Sequence, residues 1–188
     1  MVMSKVLFLD RDGVVNIDHG YVYKPDDFEF VPGVFTACKK FTDAGYEIII
    51  VTNQSGIGRG YYSEQDFHHL SEWMKNEFLK HGVHILDVYF CPHHPSKALP
   101  AYLQECECRK PAPGMLLQAI EEHHIDPAQS IMVGDKLGDL LAGERANVAT
   151  RVLVRSGQSY AESTEQHAHY VCDSLAELPN LILHLQQV

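Results

Sequence analysis

Positive charge is scarce in this sequence. Its 188 residues carry 15 lysines and arginines against 25 aspartates and glutamates, a formal net charge of −10. Nucleic-acid binders usually present a basic face, so this balance argues against such a partner. A phosphorylated ligand would have to be drawn by local cations. Long apolar runs are missing as well, and none reaches the length needed to span a bilayer. Met1 to Leu9 is too short for a secretion signal and runs directly into Asp10, Arg11 and Asp12, so the expected compartment is the cytoplasm. No repeat, low-complexity tract or linker divides the chain, and its length suits one domain, 1–188, with a real core. Five cysteines, three of them clustered, do not form a disulfide framework. Clustering of this kind in a cytosolic protein points to metal binding or catalysis.

What the sequence does contain is a short apolar run that ends in charge. Val6-Leu7-Phe8-Leu9 leads into Asp10-Arg11-Asp12-Gly13. The run reads as a strand buried on both faces. Its carboxyl end is where open α/β sheets place their ligands. D-x-D-G alone would be an ordinary Asx turn. Two carboxylates held this close repel, however, unless a proton or a hard cation such as Mg²⁺ lies between them. Two further strands end in polar residues: Ile48 to Val51 runs into Thr52-Asn53-Gln54-Ser55-Gly56, and Ser130 to Val133 runs into Gly134-Asp135-Lys136. Between them, Cys108-Arg109-Lys110-Pro111 precedes a helix signal.

Strand and helix signals alternate, which predicts a parallel sheet covered on both faces. Strands are expected at 5–9, 46–51, 84–90, 130–133 and 150–154, with a short one near 169–172. Helices are expected at 33–44, 63–80, 114–124, 137–146 and 174–186. Ser63 to Asp66 reads as a capping box opening the second helix. Gly45 and Gly82 stand where helices stop, and Pro113 suits the first turn of the third. The polar stretch 155–168 reads as a surface loop.

Cys91-Pro92-His93-His94 and Cys106-Glu107-Cys108 bracket a proline-containing loop, about 91–110. Cys91, Cys106, Cys108 and one imidazole would make a Cys₃His tetrahedral site of the structural zinc type, with no position left for water. Metal is then the source of the loop's order. Cys38 and Cys172 sit in apolar contexts and read as core residues.

A strand ending in Asp, a strand ending in Thr, a lysine and a strand ending in Gly-Asp, in that order, resemble the four signatures of the haloacid dehalogenase-like phosphatases. The tight C-x-H and C-x-C pairs resemble the zinc loop of that superfamily's histidinol-phosphatase-type subgroup. The subgroup match favours His93 over His94 as the fourth ligand. The resemblance implies a three-layer Rossmann-like α/β fold, capless because the interval 14–46 is too short for a cap domain. It also implies Mg²⁺-dependent hydrolysis. Asp10 would be the nucleophile and would form an aspartyl-phosphate. Asp12 would be the general acid and base, and Thr52 and Lys110 would stabilise the phosphoryl group. Asp10, Asp12 through its carbonyl, and Asp135 would hold Mg²⁺, while Cys91, His93, Cys106 and Cys108 would hold Zn²⁺. In the subgroup's sugar-bisphosphate phosphatases, the positions matching Asp18, His19, Gly20, Tyr21, Asn53, Gln54, Ser55, Arg109 and Lys136 contact substrate. The implied partner is a small sugar phosphate, a heptose bisphosphate, taken by a monomer with no nucleic-acid or membrane partner. The alternatives are histidinol phosphate as substrate and, from another class, a catalytically silent zinc-stabilised binding module. Asp139 and Arg59 receive no assignment.

Overall fold

The computed structural model describes residues 2–186. Among these, β1 spans Lys5–Leu9, β2 Tyr46–Asn53, β3 Ile85–Cys91, β4 Ile131–Gly134, β5 Thr150–Val154 and β6 Tyr170–Cys172. They form one sheet in the order β3-β2-β1-β4-β5-β6, and every neighbouring pair is parallel. The helices are α1 (Val34–Asp43), α2 (Ser55–Gly58), α3 (Glu64–Lys80), α4 (Gly114–Glu122), α5 (Leu137–Arg145) and α6 (Leu178–Ile182).

Side chains alternate across each strand, so a strand apolar throughout feeds two cores. Leu7 and Leu9, with Ile48, Ile50 and Val133, join Phe41, Leu70, Met74 and Phe78 of α1 and α3 on one face. Val6 and Phe8, with Ile49, Val51 and Met132, join Met115, Leu116 and Ala142 of α4 and α5 on the other. The result is the expected three-layer α/β arrangement. Between β1 and β2 the chain holds only a loop, a 3-10 turn at Pro25–Asp27 and α1, which is the capless layout.

The departures from expectation have physical causes. β2 continues two residues past its predicted end because β3 pairs with it as far as Asn53↔Cys91. The helix expected at 174–186 is broken into a 3-10 turn at Leu175–Glu177, α6, and a second 3-10 turn at Leu183–Gln186. Pro179 has no N–H with which to carry a ladder through that junction. Pro113 is the cap residue before α4 and lies outside its first turn. The polar stretch 155–168 contains a 3-10 turn, Glu162–His167, that buries Thr164.

The capping box on α3 forms as expected. Ser63 Oγ accepts from the Asp66 N–H at 3.0 Å, and the Asp66 carboxylate accepts from the Ser63 N–H at 2.9 Å. This helix presents Phe67, Leu70, Met74 and Phe78 inward, so its cap contributes to global stability. Ser63→Ala is expected to lower the unfolding free energy by about 1 kcal/mol. Chemical denaturation would show this as a shifted midpoint with an unaltered slope.

Candidate active site

The central strands bring the predicted residues together. Leu9 is level with Ile50 of β2 and Val133 of β4, so Asp10, Thr52 and Asp135 emerge side by side at the carboxyl edge. The Asp10 N–H continues the ladder to Val133 O at 3.0 Å. Here the strand order reverses from β1 toward β2 on one side and β4 on the other, the crevice where such sheets take ligands. The approach is close enough to require glycine. A Cβ on Gly13, whose φ is +91°, would lie 2.5 Å from Asp135 Oδ2, and one on Gly157 would lie 2.1 Å from it.

Lys110 lies at the centre of the charges. Its buried ammonium is 3.0 Å from Asp10 Oδ1 and 2.7 Å from Asp139 Oδ1, and it donates to Val51 O at 2.8 Å. Asn53 brackets the same residue, donating to Lys110 O at 3.1 Å and accepting from Lys110 N at 3.0 Å. Asp139, unassigned from sequence, also accepts from the N–H groups of Asp135 and Lys136, each at 3.1 Å. Its position four residues after Asp135, at the start of a helix, was the available signal. Burial, reinforced by Asp139, holds the Asp10 carboxyl well above the usual range and outweighs the pull of Lys110. Burial and Asp139 raise Asp135 in the same way. For Lys110, Asp10 and Asp139 outweigh burial and stabilise the charged form.

Asp12 has a different environment. Burial would raise its carboxyl, but Arg11, Asn16 and Gln54 together bring it below the usual range. Arg11 Nη2 donates to both carboxylate oxygens at 3.0 and 3.1 Å and to Val22 O at 2.8 Å. Asn16 donates at 3.0 Å and Gln54 at 3.2 Å. The Gln54 amide nitrogen also donates to Thr52 Oγ1 at 2.8 Å, while its oxygen accepts from the Tyr62 hydroxyl. Sequence reasoning missed Arg11 and Tyr62, whose tertiary partners leave no local pattern.

Above these groups opens a cavity of about 410 Å³. Asp18, Gly20, Tyr21, Asn53, Gln54, Ser55, Arg109 and Lys136 line it, as do Arg59 and Gln158. His19 does not. The backbone turns at Gly20 and Tyr21, with φ of +82° and +52°. His19 faces the adjoining groove, 2.9 Å from Glu29. Arg59 Nε and Arg109 Nη1 are buried without a hydrogen-bond partner among the described residues.

At the end of β3, the donor atoms of Cys91, His93, Cys106 and Cys108 all lie within 4.8 Å of one another. Cys91 Sγ is 3.7 Å from His93 Nδ1, 3.5 Å from Cys106 Sγ and 2.7 Å from Cys108 Sγ. Bonds of zinc length would set such separations at about 3.5–3.8 Å; the first two match, and the Cys91–Cys108 separation is shorter. Hydrogen bonding to Cys91 pulls the Cys108 thiol down to about 5, and the same contact pushes Cys91 up. His94 is turned away and accepts from the N–H groups of Ser96 and Lys97.

A family model described as HAD-hydrolase-like matches residues 107–178. The D-glycero-beta-D-manno-heptose-1,7-bisphosphate 7-phosphatase of Pasteurella multocida is 50% identical over 184 residues, covering 98% of this chain and 100% of that one. The protein of the same name from Escherichia coli K12 is 48% identical, covering 96% and 95%. The D,D-heptose 1,7-bisphosphate phosphatase of B. bronchiseptica, solved with magnesium and phosphate, superposes with a TM-score of 0.82 at 31% identity, covering 96% of this chain and 99% of that one.

The charge cluster makes a thermodynamic prediction. Lys110→Met leaves Asp10 and Asp139 buried without their cation and should destabilise the fold by about 3 kcal/mol at neutral pH. Denaturation in the presence of a chelator, which removes any compensating metal, is the measurement that checks it.

Proposed function

The chain belongs to the D-glycero-beta-D-manno-heptose-1,7-bisphosphate 7-phosphatase family of HAD-like hydrolases, and we propose that it removes the 7-phosphate of that bisphosphate, as the β-anomer. The main support is the grouping of Asp10, Asp12, Thr52, Lys110 and Asp135 beneath a cavity whose lining adds Arg59, Arg109 and Lys136. One set of cations serves the transferring phosphoryl group, and the other is free for a second phosphate. Histidinol phosphate carries an amine in place of that second anion, and the arginines disfavour it. A silent binding module would have no need for the full reacting set.

In the first half-reaction a carboxylate oxygen of Asp10 attacks phosphorus, and the bond to the sugar oxygen breaks. Asp12 gives its proton to the departing alkoxide. In the second, Asp12 takes a proton from the water that attacks the aspartyl-phosphate, which restores Asp10 and frees phosphate. Thr52 and Lys110 hold the phosphoryl oxygens in line, and positioning supplies most of the catalysis in phosphoryl transfer. The contacts from Arg11, Asn16 and Gln54 favour the basic form of Asp12, and the negative charge of an arriving phosphate moves it toward the proton-bearing form.

Asp10, Asp135 and the main-chain carbonyl of Asp12 would hold Mg²⁺. The donors are all hard oxygens, and Asp135 Oδ1 is buried without a partner among the described residues. When bound, the ion supplies charge that offsets the carboxylates and the phosphoryl oxygens. Cys91, His93, Cys106 and Cys108 would hold a structural Zn²⁺ that orders the segment carrying Arg109 and Lys110. We place the enzyme in the cytoplasm as a monomer, on the route to ADP-heptose for the lipopolysaccharide core. Three reduced thiols suit that compartment, and no described helix is long and apolar enough to cross a membrane.

Phosphate release with Mg²⁺ from both anomers of the heptose bisphosphate and from histidinol phosphate tests the reading. Preference for the β-bisphosphate is expected, and preference for histidinol phosphate would overturn the substrate assignment. Asp10→Asn should lower kcat on the order of 10⁴-fold or more with an unchanged circular-dichroism spectrum; near-normal turnover would remove Asp10 from the chemistry. Cys106→Ser should release zinc and expose the 91–110 loop to protease while raising KM. Metal analysis of the native protein that finds no zinc would end that assignment.

A further inference from the structure

We propose that Gln158, in the loop after β5, is a substrate-positioning residue that ties Asp18 across the mouth of the cavity, where the pair meets the hydroxyl-bearing part of the sugar. The inference rests on the phosphatase reading above and extends it from the phosphates to the polyol between them. It starts from two hydrogen bonds made by one residue. The Gln158 main-chain N–H donates to Asp135 Oδ2 at 3.0 Å, and its side-chain Nε2 donates to Asp18 Oδ2 at 2.9 Å. With the amide nitrogen facing Asp18, Oε1 and the second N–H are left for other partners.

The loop is pinned by the two residues that precede this contact. Ser156 Oγ donates to Gly13 O at 2.7 Å. A side chain at position 157 would collide with Asp135, where a Cβ would lie 2.1 Å from Oδ2. Asp18 is likewise committed: its Oδ1 accepts from the Gly20 N–H at 3.0 Å and so shapes the turn that carries Tyr21 into the cavity. Gln158 thus connects the carboxylate beneath the reacting phosphate to the loop that lines the cavity wall. Asp18 and Gln158 both face that cavity. A carboxylate beside a primary amide repels anions and binds hydroxyls, whereas Arg59, Arg109 and Lys136 do the reverse. The lining therefore divides into a polyol-reading side and a phosphate-reading side.

Gln158 is exposed, so its substitution does not threaten the core, and its main-chain bond to Asp135 survives any side-chain change. Gln158→Glu keeps the shape, loses both donors and sets a carboxylate against Asp18, while Gln158→Ala removes the tie. For both, KM for the heptose bisphosphate should rise about tenfold, the weight of one hydrogen bond to a charged group. The kcat should stay within about twofold, the signature of lost binding. Phenyl phosphate, which has no sugar hydroxyls, should suffer a much smaller penalty, and Gln158→Lys, which restores a donor, should recover the wild-type KM. Equal penalties on both substrates, an unmoved KM or failure of the lysine rescue each overturns the proposal. Wild-type protein that does not hydrolyse the bisphosphate overturns the substrate reading and the positioning role together. Wild-type turnover with indifferent variants overturns the positioning role alone.

Discussion

Three carboxylates share one end of this sheet, and a buried ammonium makes that tolerable. Asp10, Asp135 and Asp139 have donor atoms within 4.8 Å of one another. Like charges at such a distance repel by roughly 4 kcal/mol at the effective dielectric of a protein site. Lys110, 3.0 Å from Asp10 and 2.7 Å from Asp139, removes part of that cost, and Lys136 acts in the same direction. Asp10 and Asp135 are both still raised, first by burial and then by Asp139. Beside them, Asp135 Oδ1 is buried without a hydrogen-bond partner among the described residues. Hard oxygen donors of this kind are the type that a divalent cation takes, which is the basis of the proposed Mg²⁺ site.

The position of Lys110 depends in turn on the loop that delivers it. Cys91 closes β3, and Cys106 and Cys108 lie just before Arg109 and Lys110, so the sulfur cluster brings both ends of the excursion together. The loop also supports its neighbour. Leu99 N donates to Gly58 O at 2.7 Å, and a Cβ on Gly58 would lie 2.4 Å from Pro92 O. The segment bearing Arg59 and Tyr62 is therefore packed on the cysteine loop. Arg11 reaches from the end of β1 to Asp12 and to Val22 O, and so ties Asp12 to the loop that carries Asp18 and Tyr21. Two short loops and one arginine thus set the relative position of nearly every group in the cavity.

How legible each part was depended on how local its cause is. Strand β1 could be read because burial on both faces demands an unbroken apolar run. Asp10, Thr52 and Asp135 could be read because a polar residue ending such a run has few other uses. The cysteine cluster could be read because soft ligands in close pairs rarely serve another purpose. Asp139 was visible as a residue but not as a partner, because helix-cap aspartates are common and only the fold brings Lys110 to it. Arg11 stood between two carboxylates in plain view, yet its contact with Val22 is a tertiary fact. Gln158 had no signal, since a glutamine in a polar loop differs in no way from a solvated one until the loop is seen to lean on Gly13 and Asp135. His19 shows the opposite limit: its neighbours line the cavity while a glycine turn faces it elsewhere.

With only a loop, a 3-10 turn and α1 between β1 and β2, no domain is available there to close over the cavity and expel water. Closing lids strengthen electrostatics by excluding solvent, and a site without one must have its groups already in place. That requirement accounts for the buried hydrogen bonds around it. Asn53 brackets Lys110 at both its N–H and its carbonyl, Gln54 fixes Thr52 and Asp12 with one amide, and Asp139 spends one oxygen on two backbone donors. The same openness bears on attraction. A chain of net charge −10 repels an anionic ligand at long range, and salt screens charge beyond about 10 Å. On the proposed reading, capture is decided inside the cavity, where Arg59, Arg109 and Lys136 line the wall.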